Sequence, residues 1–197
     1  MSEITSPDFE NAEAFLLLSL KGLSPLLSYH SFQHTMDVLN AAMTIASAEK
    51  ISEDERKLLR ISVLLHDAGF IYVYNNHEEK GCEMAKEILP RFGFTISQIK
   101  MVCGMIMATK PPQHPKTKLE QIIADSDLDY LGRDDVKPIA GKLFDELMVY
   151  GYISNEKEWN KLQVNFLQKH HYYTDYSKTT RQPKKQQYLD ELLKKIK

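Results

Sequence analysis

The feature that most restricts this chain is a recurring punctuation of helix starts and stops, with no strand series between them. Ser52 with Glu55, Thr95 with Gln98 and Thr117 with Glu120 place a hydroxyl three residues ahead of an acid or amide. In that spacing side chains and backbone satisfy each other's free N–H groups at a helix start. Ser6-Pro7-Asp8 supplies a further start, a cap followed by proline in the first turn, ahead of the apolar run Phe15 to Leu20. Breakers fall at Gly22 to Pro25, Gly69, Pro90 to Gly93, Pro111 to Pro115 and Gly132. The spacing predicts helices over 7–21, 30–49, 53–67, 77–89, 96–109, 117–131, 134–150, 155–170 and 180–196. The expected fold class is all-α, a compact helical bundle with additional C-terminal helices.

A chain of 197 residues fits one domain, here 1–197, with a core at about 29–132 and a helical extension over 133–197. The tail from Lys184 to Lys197 intersperses basic residues with Tyr188, Leu189, Leu192, Leu193 and Ile196, and is expected to dock as an amphipathic helix. Arg181, just ahead of the tail, and Lys184 and Lys185 within it are read as solvated, with the border of a pocket for an anionic substrate as the alternative. Twenty-five basic and 27 acidic residues leave a formal charge of -2, too little positive field to grip a long nucleic acid. Cys82 and Cys103 have no close pairing and are read as core residues in a reducing compartment. The opening residues lack a secretory pattern and no apolar stretch spans a bilayer, so a cytoplasmic protein without a membrane partner is expected. A homodimer stays open.

Three segments carry chemistry. His30 and His34 stand one helical turn apart if 30–49 is helical, in line with Val38, Ala41, Ala42 and Ile45. His66-Asp67 closes the apolar run Leu58 to Leu65, putting an imidazole and a carboxylate at a buried helix end. A buried carboxylate needs a cation or dense hydrogen bonding, and the negative end of a helix dipole favours the cation. In Ala124-Asp125-Ser126-Asp127-Leu128-Asp129, helical register aligns Asp127 with Leu119, Ile123 and Leu131. It therefore points inward, and Asp125 and Asp129 outward, although Asp125 retains a supporting role as an option. Mixed nitrogen and oxygen donors of this kind suit a borderline or hard divalent ion with open positions for water and substrate.

His34, His66-Asp67 and Asp127, in that order, resemble the HD superfamily of metal-dependent phosphohydrolases over Tyr29 to Gly132. The resemblance implies an HD-type bundle in which His34, His66, Asp67 and Asp127 hold one divalent ion per chain, whether manganese, magnesium, iron, cobalt or nickel. The first segment also resembles the start of the cyclic-nucleotide phosphodiesterase site, matching at Tyr29-His30, His34 and Asp37-Val38, with Ser31 in place of asparagine. That likeness makes His30 the general acid, while Asp37 would orient His34 from outside the coordination sphere. His77, in Asn75-Asn76-His77-Glu78-Glu79, resembles a stretch beside the metal in small HD proteins, so His77 and Glu78 are expected to line the pocket. Lys110 is a candidate phosphate contact. His114 and the pair His170-His171 are read as outside the site.

The expected activity is hydrolysis of a small phosphorylated molecule, a nucleotide or cyclic nucleotide, by a water activated at the metal and positioned by Asp67. Two rivals stand beside it. One is an HD-type di-iron oxygenase, which needs more ligands. The other is a nucleotide-sensing module without turnover.

Overall fold

The computed structural model describes residues 7–195, which form ten α-helices and no strand. Ser6 and Ile196, named above as a cap and an apolar tail residue, lie outside the described residues. The helices are α1 Phe9–Ser19, α2 Phe32–Ala48, α3 Glu53–His66, α4 His77–Ile88, α5 Ile96–Thr109 and α6 Lys118–Asp127. After them come α7 Val136–Val149, α8 Glu156–Lys169, α9 Asp175–Thr180 and α10 Gln182–Lys195.

Capping chemistry sets the starts. Glu55 N–H donates to Ser52 Oγ and Ser52 N–H to Glu55 Oε2, and Thr95 with Gln98 repeats the exchange. Thr117 accepts from Glu120 N–H, but the Glu120 carboxylate accepts from Lys116 N–H, so that third box is not reciprocal. At α1 the cap is Asp8, accepting from Asn11 N–H at 3.1 Å.

α3 is the central rod. Leu59, Ile61, Val63, Leu64 and Leu65 are buried on every side of it, as a helix apolar all round must be. α1, α2, α4, α5 and α6 pack around it. α4 crosses the end of α3 so closely that a Cβ on Gly81 would lie 2.7 Å from the Leu65 carbonyl oxygen. Glycine is what permits that crossing.

A second apolar cluster joins Tyr29, Leu128, Tyr130 and Leu131 to Val136, Val164, Leu167, Tyr188, Leu189 and Leu192. The C-terminal helices therefore pack on the turn after α6. A Cβ on Gly132 would meet the backbone of Arg181 at 2.4 Å, which fixes glycine at this contact.

Three expected boundaries shift. The 117–131 helix stops at Asp127 and continues as a 3-10 turn over Asp129–Gly132. The 180–196 helix is α10, starting at Gln182, and a short helix the spacing did not predict, α9, lies ahead of it. The 30–49 helix begins only at Phe32, because Ser31 is extended and caps it by accepting from His34 N–H at 3.4 Å.

The early end of α6 overturns the register reading of its acids. Asp125 is fully buried and accepts from Tyr173 N–H, Thr174 N–H and Thr174 Oγ1–H at 2.9, 2.8 and 2.6 Å. Asp129 is buried too, taking Arg181 Nε–H at 2.7 Å, so Arg181 is an ion-pair partner and not a solvated cation. Lys185 is likewise 1% exposed, donating to the His170 carbonyl, and burial pulls its ammonium down to about 8. Both faces of the α6 end are covered, one by the first core and one by the extension.

Asp125→Asn is expected to destabilise the fold by roughly 1–3 kcal/mol, because an amide cannot accept from all three donors. It should leave metal titration nearly unchanged, whereas Asp127→Asn weakens metal binding with little loss of stability. Paired melts and metal titrations check this. The reverse pattern would show the two acids wrongly assigned.

Candidate metal centre

Two helix C-termini converge. α3 ends at His66 with Asp67 as its cap, and α6 ends at Asp127. His34 reaches between them from the first turn of α2. Its Nε2 lies 3.2 Å from Asp127 Oδ1 and 3.4 Å from Asp67 Oδ2. His66 Nε2 lies 3.2 Å from Asp67 Oδ2 and 3.6 Å from Asp127 Oδ1. One donor atom each from His34, His66 and Asp127 falls within a 4.8 Å span, so these three can hold a single ion.

The local hydrogen bonds orient the donors. His66 Nδ1 sits 2.7 Å from the Val63 carbonyl, which requires the proton on Nδ1 and leaves the Nε2 lone pair facing the carboxylates. His77 repeats the device with Tyr74 O at 3.3 Å, and its Nε2 faces Asp67 Oδ1 at 3.5 Å and Glu78 Oε1 at 3.4 Å. The Gly69 turn makes room for this, since a Cβ there would lie 2.0 Å from the His77 carbonyl oxygen.

His66 Nε2 and Asp67 Oδ2 are buried and make no hydrogen bond despite their proximity. Polar atoms removed from water are normally satisfied. A divalent ion satisfies both at once, and the donor set of imidazole nitrogens and carboxylate oxygens fits one. Electrostatics agree. Burial favours neutral His66, yet Asp67 and Asp127 outweigh it and hold the imidazole well above the ordinary histidine value. Burial likewise disfavours the charge on Asp67 and Asp127, and the histidines outweigh it to push both carboxyls down.

His30 lies just ahead of α2, its ring 6.0 Å from that of His34. It is therefore beside the centre without being in the helical line with His34 that its spacing suggested. Glu146 of α7, fully buried, holds it in place. The Glu146 carboxylate accepts from Tyr29 N–H at 2.8 Å, His30 N–H at 3.0 Å and Tyr74 Oη–H at 3.1 Å, and lies 2.5 Å from His30 Nδ1. Burial lowers the His30 value, but the Glu146 contact and the Asp67 charge outweigh it and the net shift is upward. Nothing in the sequence around Phe144-Asp145-Glu146-Leu147 singles Glu146 out.

Two expected supporting residues are elsewhere. Asp37 pairs with Arg133 at 2.9 Å and does not contact His34, because the guanidinium reaches it across the α6–α7 turn. Lys110 is engaged by Glu79 and by Asn76 Oδ1 on the outer face of α4, drawn there by their oxygens. His170 packs inside the extension, against Lys185 and Tyr172.

The HD domain family profile matches residues 31–130, a stretch that contains His34, His66, Asp67 and Asp127 and starts one residue after His30. Among solved structures, a predicted HD superfamily hydrolase from an uncultured Thermotogales bacterium shares the fold at a TM-score of 0.61. The two chains are 22% identical, over 96% of this one and 91% of that one. None of the curated proteins matches this sequence. The order of the histidines and aspartates, the helix ends that present them and the matching profile agree, and the chain belongs to the HD domain family.

Proposed function

We propose that this protein is a metal-dependent phosphohydrolase acting on a small phosphorylated molecule. The observation that carries the reading is the pair of buried, unsatisfied atoms His66 Nε2 and Asp67 Oδ2, set where a cavity bounded by Asp67, Asp127 and His30 opens. In this reading His34, His66, Asp67 and Asp127 hold the ion. When bound, a divalent ion acidifies water and polarises a phosphoryl oxygen. Asp67 accepts a hydrogen bond from the attacking water and orients it. His30, whose charged form the Glu146 carboxylate favours, donates its Nε2 proton to the departing oxygen. His77 and Glu78 border the same space from α4.

The first motif's likeness to cyclic-nucleotide phosphodiesterases is the support for a nucleotide body. His77, which faces the second oxygen of Asp67, and Glu78 beside it are what the di-iron rival would use. A phosphate-release screen over nucleotides, cyclic nucleotides and simple phosphomonoesters, with a phosphomonoesterase added to free phosphate from ring-opened cyclic nucleotides, and with several divalent ions and a chelator, decides between them. Release that depends on the ion is expected. Oxygen uptake with two irons per chain and no released phosphate would overturn the proposal.

A further inference from the structure

The cavity beside the metal centre measures about 290 Å³ and runs away from it into the C-terminal extension. Its two ends differ in chemistry. His30, Asp67, His77, Glu78 and Asp127 border the near end, and Leu131, Leu143, Leu147, Leu162, Phe166 and Leu167 wall the far end. No lysine or arginine is among the lining residues. Two of the polar groups on the far wall are paired with each other, Tyr188 Oη–H donating to Gln163 Oε1 at 2.5 Å. Tyr29 and Tyr130 pack edge to face, with ring centroids 5.6 Å apart.

Resting on the phosphohydrolase reading, we infer that the substrate is a phosphomonoester of an apolar alcohol, whose hydrocarbon body fills the space between α7, α8 and α10. A base and ribose carry donors and acceptors that these walls leave unpaired, and burying such groups is costly. A second or third phosphate calls for arginine or lysine. A hydrocarbon meets no such penalty. A cavity of this size among aliphatic side chains also forfeits packing contacts, which a hydrocarbon restores. Pockets that combine an apolar wall with a few convergent polar groups are the usual form of a small-molecule site.

The test uses the full chain and needs no variant for its main arm. Primary alkyl phosphates from ethyl to hexyl have nearly equal leaving groups, so a change in kcat/KM along the series reports the wall. An increase of about threefold to fourfold per methylene is expected, the factor for burying one CH2 group. AMP and ribose 5-phosphate should fall below hexyl phosphate. A flat series, or faster release from AMP, overturns the inference while leaving the phosphohydrolase reading intact.

Binding is read separately through Trp159, the single tryptophan of the chain, which stands in the cavity wall. Hexylphosphonate and 1-hexanol should each change its emission, and Ala140→Phe, which places a ring in the cavity, should abolish both responses and flatten the chain-length series. If no phosphoester is cleaved but 1-hexanol still perturbs Trp159 in the natural chain alone, the hydrocarbon site stands and the phosphohydrolase reading falls. If neither compound perturbs Trp159, the hydrocarbon site falls.

Discussion

His66→Ala is expected to bring both metal content and phosphate release down to background. The imidazole is fully buried, and its Nε2 faces Asp67 and Asp127 at 3.2 and 3.6 Å. Its removal deletes a donor that no solvent molecule can replace without entering the core. Asp67→Ala should act in the same way, because Asp67 is the carboxylate shared by His34, His66 and His77. Circular dichroism should stay mostly helical in both. A second readout is independent of turnover. An ion that binds only the folded chain raises its stability by about 2.7 kcal/mol at a hundredfold excess over Kd, so added divalent ion should raise the Tm of the natural protein and leave both variants unmoved. Unchanged metal content in both variants would remove the assignment.

The second large effect concerns a pair 116 residues apart in sequence. His30→Ala is expected to keep the metal and slow hydrolysis by roughly 10²- to 10⁴-fold, the usual contribution of a general acid. Glu146→Gln should reproduce most of that loss, since the neutral amide no longer favours a charged imidazole. Glu146 acts through His30, as a positioning residue, so the double variant should be no slower than His30→Ala alone. A substrate with an acidic leaving group such as p-nitrophenolate needs little protonation, and both variants should lose less on it. Equal losses on both substrates, with a lowered Tm, would reduce Glu146 to a structural acceptor for the Tyr29 and His30 amides. Loss of the metal in His30→Ala would make His30 a ligand.

The helices were legible wherever a cap states its own geometry, as at Ser52 and Thr95. The candidate metal centre was legible because a carboxylate at the buried end of an apolar run needs a cation or dense hydrogen bonding. Register failed at the end of α6. Four-residue spacing assumes one buried face on a continuing helix, but α6 stops at Asp127 and a second apolar cluster covers its other side. Asp127 faces His34 and His66 but is the least buried of the three acids, whereas Asp125 and Asp129 are fully enclosed, each supplied with donors from the region 173–181. The same limit hid Glu146. A lone acid on an amphipathic helix reads as solvated unless the partner that buries it is known, and that partner is a loop far upstream. His30 was placed beside His34 by an argument from helix periodicity, whereas Ser31 ends the helix between them and the loop brings the rings together.

The Asp125 clamp also orders events in time. Its donors at Tyr173 and Thr174 lie 48 and 49 residues downstream, and Glu146 is separated from His30 by 116. A chain emerging from the ribosome carries His34, His66, Asp67 and Asp127 long before it carries the groups that fix the end of α6. Contacts so distant must overcome loop-closure entropy before they stabilise anything. The four residues of the candidate centre are thus synthesised early and locked late, so an ion captured by the nascent chain meets loosely held donors. Selectivity for one metal over another, where it depends on rigid geometry, is acquired only once the C-terminal helices have docked.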